Sequence, residues 1–381
     1  MRTRKALVLA SVASMIDQFN IPNIQLLQFL GYKVDVVADF TKNPGTITKE
    51  RATLLQNKLG DMDVEVIDIP IPRTINFATI LAVYKNISNL LKTKHYNLIH
   101  CHSPIGGALC RFAAKKERIN GSKVIYTAHG FHFYNGAPVK NWVCFYPVEK
   151  ILSKWTDVLI TINKEDYKRA VDDFNAKKTV YVPGVGVDVV KFANTKIDVK
   201  QKKEEIGVPE NAYTLLSVGE LNNNKNHQVI LRALARLNDQ TIHYVIAGKG
   251  DLRNSLIELA HKLGIETQVH LLGFRTDVAE LYKVADIYLL PSIREGLNVS
   301  VMEAMASGLP CIISDIRGNR DLIDDGKGGF LVNPFDNKSF AEKVDYIKRH
   351  QNNYGLYNFN KVNEFSVAEV NNKMNEIYNL L

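Results

Sequence analysis

The chain has 381 residues, 46% of them apolar and 23% charged, with a net charge of +8. That length exceeds one ordinary hydrophobic core and predicts two domains of globular balance, which excludes disordered and fibrous classes. Four cysteines (Cys101, Cys110, Cys144, Cys311) show no CxxC spacing, so no disulfide framework or zinc site is expected and a reducing cytoplasm fits.

The first segment, "MRTRKALVLASVASM", has the basic head and short apolar run of a secretory signal. It also supplies a buried strand, "KALVLASV", that completes a strand–helix–strand unit with "IDQFNIPNIQLLQFLG" and "YKVDVVAD", and this reading is preferred. Further strands follow at "DVEVIDIPI", "YNLIHCHS", "KVIYTAH", "DVLITIN" and "TVYVPG", with helices at "FATILAVYKNISNLLKTK" and "GGALCRFAAKK". The stretch "NWVCFYPVEKILSKW" mixes aromatic and basic residues at helical spacing; a buried helix with a basic outer face is the commoner explanation, a helix lying on lipid the other. Residues 183–205 turn polar and charged and read as a hinge and linker.

The second half repeats the alternation. Strands are predicted at "YTLLSVGE", "IHYVIAGKG", "QVHLLG", "DIYLLPS", "PCIIS" and "GFLVNP", and helices at "HQVILRALARLN", "LRNSLIELAHKLG", "TDVAELYKVA" and "VAEVNNKMNEIYNLL". Strands apolar on both faces, joined by helical crossovers, mean parallel sheets. The expected class is α/β, with two Rossmann-like domains, 1–185 and 186–364, and a last helix, 365–381, crossing back to the first. No run of 18 apolar residues is present, so no membrane-spanning helix is expected.

Ligands of such sheets bind outside the carboxyl ends of the strands. The stretch "PSIREGLNVSVMEAMASGLPCIISD" occupies one such place. Its apolar spacing starts a helix near Asn298 to Ser300, where Asn or Ser caps free amides, and Gly308 with Pro310 stops it. Glu295 lies in the feeding loop and Glu303 one turn in, about 80° apart around a continued axis. Two carboxylates flanking free helix amides suit a phosphorylated ligand with hydroxyls. On spacing alone a solvated helix residue and a loop charge are equally compatible with it.

The same stretch resembles the Glu–seven residues–Glu signature of retaining glycosyltransferases of family four, which have the two-domain GT-B fold with a central cleft. "VPGVGVD", "SVGELNNNKNHQVI", "IAGKGDLRNSL", "LLGFRTDVAELYKVADIYLLPS" and "RGNRDLIDDGKGGFLV" continue the resemblance, and "TAHGFHFYNGAP" is similar to capsular and exopolysaccharide members. The resemblance implies that Glu303 binds the donor ribose, Glu295 meets the transferred sugar, and the amides of Gly296, Leu297, Asn298 and Val299 hold the diphosphate. It implies that Lys225 pairs with that diphosphate and that His129 lies beside the sugar. Gly219, Gly248, Phe274 and Arg275 join the donor site, and the first loop, Ser14, Met15 and Ile16, meets the acceptor or a phosphate. Where many members carry an arginine after the glycine of "VGR", this chain has Glu220; Arg275, Arg317 and Arg320 are the candidate substitutes.

The implied reaction is transfer of a hexose or N-acetylhexosamine from a nucleotide sugar, UDP-linked, to a polyprenyl-diphosphate-linked saccharide for capsule or exopolysaccharide. The enzyme would be cytoplasmic, peripheral on the inner membrane face. A front-face mechanism is the family expectation; Glu295 as a covalent nucleophile stays open. Alternatives are a nucleotide-sugar 2-epimerase of the same architecture, or a non-catalytic basic binding protein. No cofactor or metal is expected: "DMD" at 61–63 reads as a solvated turn, and "VIAGKGD" lacks the full dinucleotide fingerprint. His132 is read as structural. Scattered basic runs such as "KQKKEE" give no nucleic-acid motif.

Overall fold

The first strand sets the architecture of the amino-terminal half. In the computed structural model, which describes residues 4–72, 76–350 and 352–381, β1 (Arg4–Val12) sends Leu7 and Leu9 to one face and Ala6, Val8 and Ala10 to the other. All five are fully buried, as the period-2 geometry of a strand between two helical layers requires. Met1–Thr3, the basic head of the first segment, lie outside the described residues.

The chain divides into two units, Met1–Val182 with Val370–Leu381, and Pro183–Glu369. In the first, β2 (Tyr32–Asp39), β3 (Glu65–Asp68), β4 (Leu98–His102), β5 (Lys123–Ala128), β6 (Val158–Thr161) and β7 (Lys178–Tyr181) join β1 in the order β3-β2-β1-β4-β5-β6-β7. All described pairs are parallel, and the order reverses at β1 and β4. The last helix, Val367–Asn379, gives Val370, Met374, Ile377 and Tyr378 to this core.

The second unit holds β8 (Tyr213–Val218), β9 (Ile242–Ala247), β10 (Val269–Gly273), β11 (Ile287–Leu290), β12 (Cys311–Ser314) and β13 (Gly329–Val332) in the parallel order β10-β9-β8-β11-β12-β13. The reversal falls at β8 and β11, so the loops after these strands are the natural ligand sites. Both units are Rossmann-like α/β sheets, the pair of domains that makes a GT-B fold.

Three segments differ from the sequence expectation. Residues 183–205 are not a bare linker: helices Val189–Asn194 and Val199–Glu205 form there, capped by Asp188 and Asp198. Phe192 is buried, and Lys202 reaches Glu205 at 2.9 Å and Glu280 at 2.7 Å. Ion pairing hid a packed segment behind a polar composition. The loop expected at Ser14–Ile16 is the first turn of helix Ala13–Phe19, which starts straight from β1. Helices Lys49–Asp61, Lys164–Asp173 and Asn337–Arg349 were not anticipated, although Thr48, Asn163 and Asp336 cap them as such residues do.

Helix Val139–Ser153 is pinned from beneath. Glu149 accepts from the fully buried Arg111 at 2.8 Å and from Tyr126 Oη at 3.2 Å. Its outer face is not simply basic: Val139, Val143, Val148 and Ile151 are exposed among Lys140, Lys150 and Lys154. No described helix is long and apolar enough to cross a membrane.

Candidate functional site

In the second unit the site grows from the loops after β8 and β11. The β8 loop is stitched to the β11 loop twice: Ile293 N donates to Asn224 O at 2.8 Å, and Asn224 Nδ2 donates to Arg294 O at 3.0 Å. Asn226, held with φ +53, donates to Pro334 O at 2.7 Å. These bonds fix the backbone carrying Lys225, whose ammonium lies 2.7 Å from Glu295 Oε1. Seventy positions apart, the two residues meet because β8 and β11 are neighbours in the sheet.

Helix Val299–Ala306 starts beside them. Asn298 is its cap and accepts from Ser300 N at 2.9 Å and Val301 N at 3.3 Å. Those two amides are therefore taken. The amides of Gly296, Leu297, Asn298 and Val299 donate to no acceptor among the described residues, which leaves the run named from sequence available to an anion. Gly318 abuts this run: a Cβ there would lie 1.8 Å from Gly296 O. Gly308, φ +78, stands just past the helix end.

Glu303 is half-buried, and Tyr282 Oη donates to its Oε2 at 2.9 Å. Burial pushes its carboxyl above the usual range, against the lowering effects of Tyr282 and Lys191. The two glutamates thus take different partners, Lys225 for one and Tyr282 for the other.

Gly219 and Gly248 tie the strand ends together, Gly219 N donating to Ala247 O at 3.0 Å and Gly248 N to Gly273 O at 2.8 Å. Gly248 also lines a cavity of 360 Å³ with Lys249, Arg253 and Leu271. Phe274 is 68% exposed, with Lys249 Nζ 5.8 Å from its ring centre. Arg275, a candidate to replace the arginine missing at Glu220, is engaged by carboxylates of its own unit. Its guanidinium is held by Asp277 and Glu205. Arg320 is likewise paired, with Asp315 at 2.6 Å. Local carboxylates compete for these arginines, which a count of cations cannot reveal.

In the first unit, Ser14 and Met15 line a 740 Å³ pocket with Gln18, Phe19, Ile105 and Phe145. Ile16 does not: it is fully buried, facing the core where a helical turn, not a loop, directs it. Ser14 N is already bonded to Pro44 O at 2.8 Å. His129 follows β5, and its Nε2 lies 3.1 Å from His102 Nδ1. His102 lies against His100 with the rings tilted by 37° and their centres 4.2 Å apart, and His100 bonds Thr127 and Tyr378 at 2.8 Å each. Burial lowers His129 to about 4 and His100 to about 3, so the imidazoles are neutral near pH 7. His132 stacks on Phe145 with ring centres 4.6 Å apart. Asp61 and Asp63 are exposed, and among the described residues no cluster of His, Cys, Asp or Glu is placed to hold a metal.

Sequence reasoning missed His102 and Tyr282. The strand-end "HCHS" was a signal for the first; nothing local marked the second among other core tyrosines.

Residues 198–357 match the model for glycosyl transferases group 1, and residues 19–163 match glycosyl transferase 4-like. The chain is 38% identical over 349 residues to "Putative glycosyltransferase EpsD" of Bacillus subtilis (strain 168), covering 91% of this chain and 87% of that one. It belongs to the group 1 glycosyl transferases. A second relative of this glycosyltransferase is the Escherichia coli "UDP-Gal:alpha-D-GlcNAc-diphosphoundecaprenol alpha-1,3-galactosyltransferase", 30% identical, covering 70% of this chain and 69% of the other. The fold of the glycosyltransferase matches that of Anabaena Alr3699/HepE, solved in complex with UDP, with a TM-score of 0.78 at 17% identity, covering 99% and 100% of the two chains.

Proposed function

We propose that this glycosyltransferase moves a hexose or N-acetylhexosamine from a UDP-sugar to a polyprenyl-diphosphate-linked saccharide, with retention, in capsule or exopolysaccharide synthesis. One observation carries the reading: the unengaged amides of Gly296 to Val299 lie at a helix start beside the ammonium of Lys225. Transfer from a nucleoside diphosphate needs a fixed positive potential where the leaving diphosphate gains charge. Amides and an ammonium held in place supply it without reorganising, and Lys225 exchanges Glu295 for the diphosphate. Glu295, released, meets the hydroxyls of the transferred sugar, and Glu303 accepts from the ribose. Retention follows if the leaving diphosphate takes the proton of the acceptor hydroxyl on the same face.

The first unit binds the acceptor. The largely apolar pocket at Ser14 and Met15 suits a lipid-linked saccharide, and His129 offers a neutral imidazole to a sugar hydroxyl. The exposed valines and lysines of helix Val139–Ser153 suit peripheral contact with anionic lipid at the inner membrane face. The acceptor class is supported by the activity for which the Escherichia coli relative is named, and the polysaccharide context by a relative described as a protein in a Klebsiella pneumoniae cps region.

The test is a panel of nucleotide sugars assayed for diphosphate release with and without a polyprenyl-diphosphate-linked saccharide. Release that requires the acceptor supports the proposal. Interconversion of the sugar without acceptor would make the protein an epimerase, and no turnover of any donor would leave a binding protein.

A further inference from the structure

Glu303 sits against an aromatic wall from three different elements. Phe192, from helix Val189–Asn194, packs edge-on to Tyr282 with ring centres 5.8 Å apart, and Tyr282 packs on Tyr288 at 5.7 Å. Tyr282 is fully buried on helix Val278–Val284. Its hydroxyl is 2.9 Å from Glu303 Oε2 and 3.0 Å from Ser300 O. A phenol has one proton to donate, so these two acceptors share it. Ser300 is in turn fixed by Tyr288 Oη on its Oγ and by Asn298 on its amide. The hydroxyl of Tyr282 is thus set by the first turn of the very helix that carries Glu303. Burial holds the phenol proton far above its usual range, so Tyr282 stays a donor.

A carboxylate on a long side chain is otherwise free to turn. One donor on Oε2 fixes its plane and leaves Oε1, for which no partner is recorded among the described residues, as the open acceptor. We infer that Tyr282 is a positioning residue of the donor site: it holds one oxygen of Glu303 so that the other receives the vicinal hydroxyls of the ribose. This rests on the ribose reading of Glu303 above. A rotating carboxylate would pay ordering entropy each time the nucleotide binds; a fixed one does not.

The experiment compares binding of UDP and of 2′,3′-dideoxy-UDP by calorimetry in the wild type, Glu303→Ala and Tyr282→Phe. The phenylalanine keeps the ring in the wall and removes only the hydroxyl; Tyr282→Met, also without a donor, serves if melting shows the first variant unfolded. The wild type should prefer UDP, Glu303→Ala should lose that preference, and Tyr282→Phe should lose about tenfold of affinity for UDP with little change for the dideoxy form. If Tyr282→Phe keeps the preference while Glu303→Ala loses it, the positioning role is overturned and the ribose reading stands. Equal weakening toward both ligands would reduce Tyr282 to packing and also overturn the role. If Glu303→Ala keeps the preference, the ribose reading itself fails, and the inference with it.

Discussion

Lys225 and Glu295 close a 2.7 Å ion pair whose side chains are 17% and 13% exposed. An ammonium so placed is already largely stripped of water, so a diphosphate arriving there replaces one anion by another instead of drying a hydrated cation. Two opposite effects on UDP follow. Lys225→Ala should lower kcat/KM by roughly 100- to 1,000-fold, the loss typical of removing one fixed donor from a developing anion, and should weaken UDP but not uridine. Glu295→Gln should lower turnover while tightening UDP, because the competing carboxylate is gone. Calorimetry with UDP and uridine, beside initial rates, checks both; weaker UDP binding by Glu295→Gln would contradict the exchange.

Gly318→Ala should disable the proposed donor site without touching a ligand. The residue has φ +80 and its Cβ would lie 1.8 Å from Gly296 O. The methyl adds backbone strain of roughly 1–3 kcal/mol, because φ +80 with ψ −44 lies outside even the left-handed helical well, and pushes the Gly296–Leu297 backbone, so the amide run loses its spacing. UDP affinity should fall at least tenfold, and the melting temperature should drop by a few degrees. Unchanged UDP binding in a folded variant would separate this backbone from the diphosphate.

Stability should fall with acid because buried imidazoles cannot charge. Burial lowers His100 to about 3, and His129 and His227 to about 4, from an ordinary value of 6.5. Between those values and 6.5 the unfolded chain binds more protons than the native one, so stability present above pH 6.5 is lost as pH drops below it. The slope reaches at most about 1.4 kcal/mol per pH unit for each such histidine. Melting temperatures between pH 7.5 and 5 should decline, and His100→Gln should flatten the curve although it loses some stability at pH 7.5.

Glu149→Ala should destabilise the first unit by roughly 3–5 kcal/mol, since it leaves the fully buried Arg111 without its counter-charge. Urea unfolding reads this directly. Replacing both partners by apolar residues, Arg111→Met with Glu149→Leu, should cost much less.

Exposed valines of helix Val139–Ser153 offer a separable test of membrane contact. Val139→Asp with Val143→Asp should reduce sedimentation with anionic vesicles several-fold while melting stays unchanged, because both side chains are exposed and hold nothing in the core. Equal sedimentation would place lipid contact elsewhere.

Much of the proposed donor site is legible in the sequence because its signals are local. Asn298, Gly308 and Pro310 bound one helix, and the position of Glu303 within it follows from the 3.6-residue turn. The first unit was harder to read. Ser14, Met15 and Ile16 looked like a loop because small and mixed residues follow β1, yet the chain enters a helix there, which puts Ser14 and Met15 on a pocket and Ile16 in the core. The charged run at 183–205 looks solvated for a similar reason: composition does not show that Lys202 pairs with Glu280 of a later helix and with Asp277 before it.

The sequence by itself determined the parallel α/β layers, the helix that starts at Asn298, and the family of this glycosyltransferase, because periodicity, caps and motif order act over a few residues. Tertiary structure alone decided which charges are engaged. Lys225 meets Glu295, Arg275 meets Glu205, His129 meets His102, and Glu303 meets Tyr282. Strand order brings these partners within reach across tens of residues, and hydrogen bonds and ion pairs act only at a few ångströms, so the choice is made where the sheets assemble.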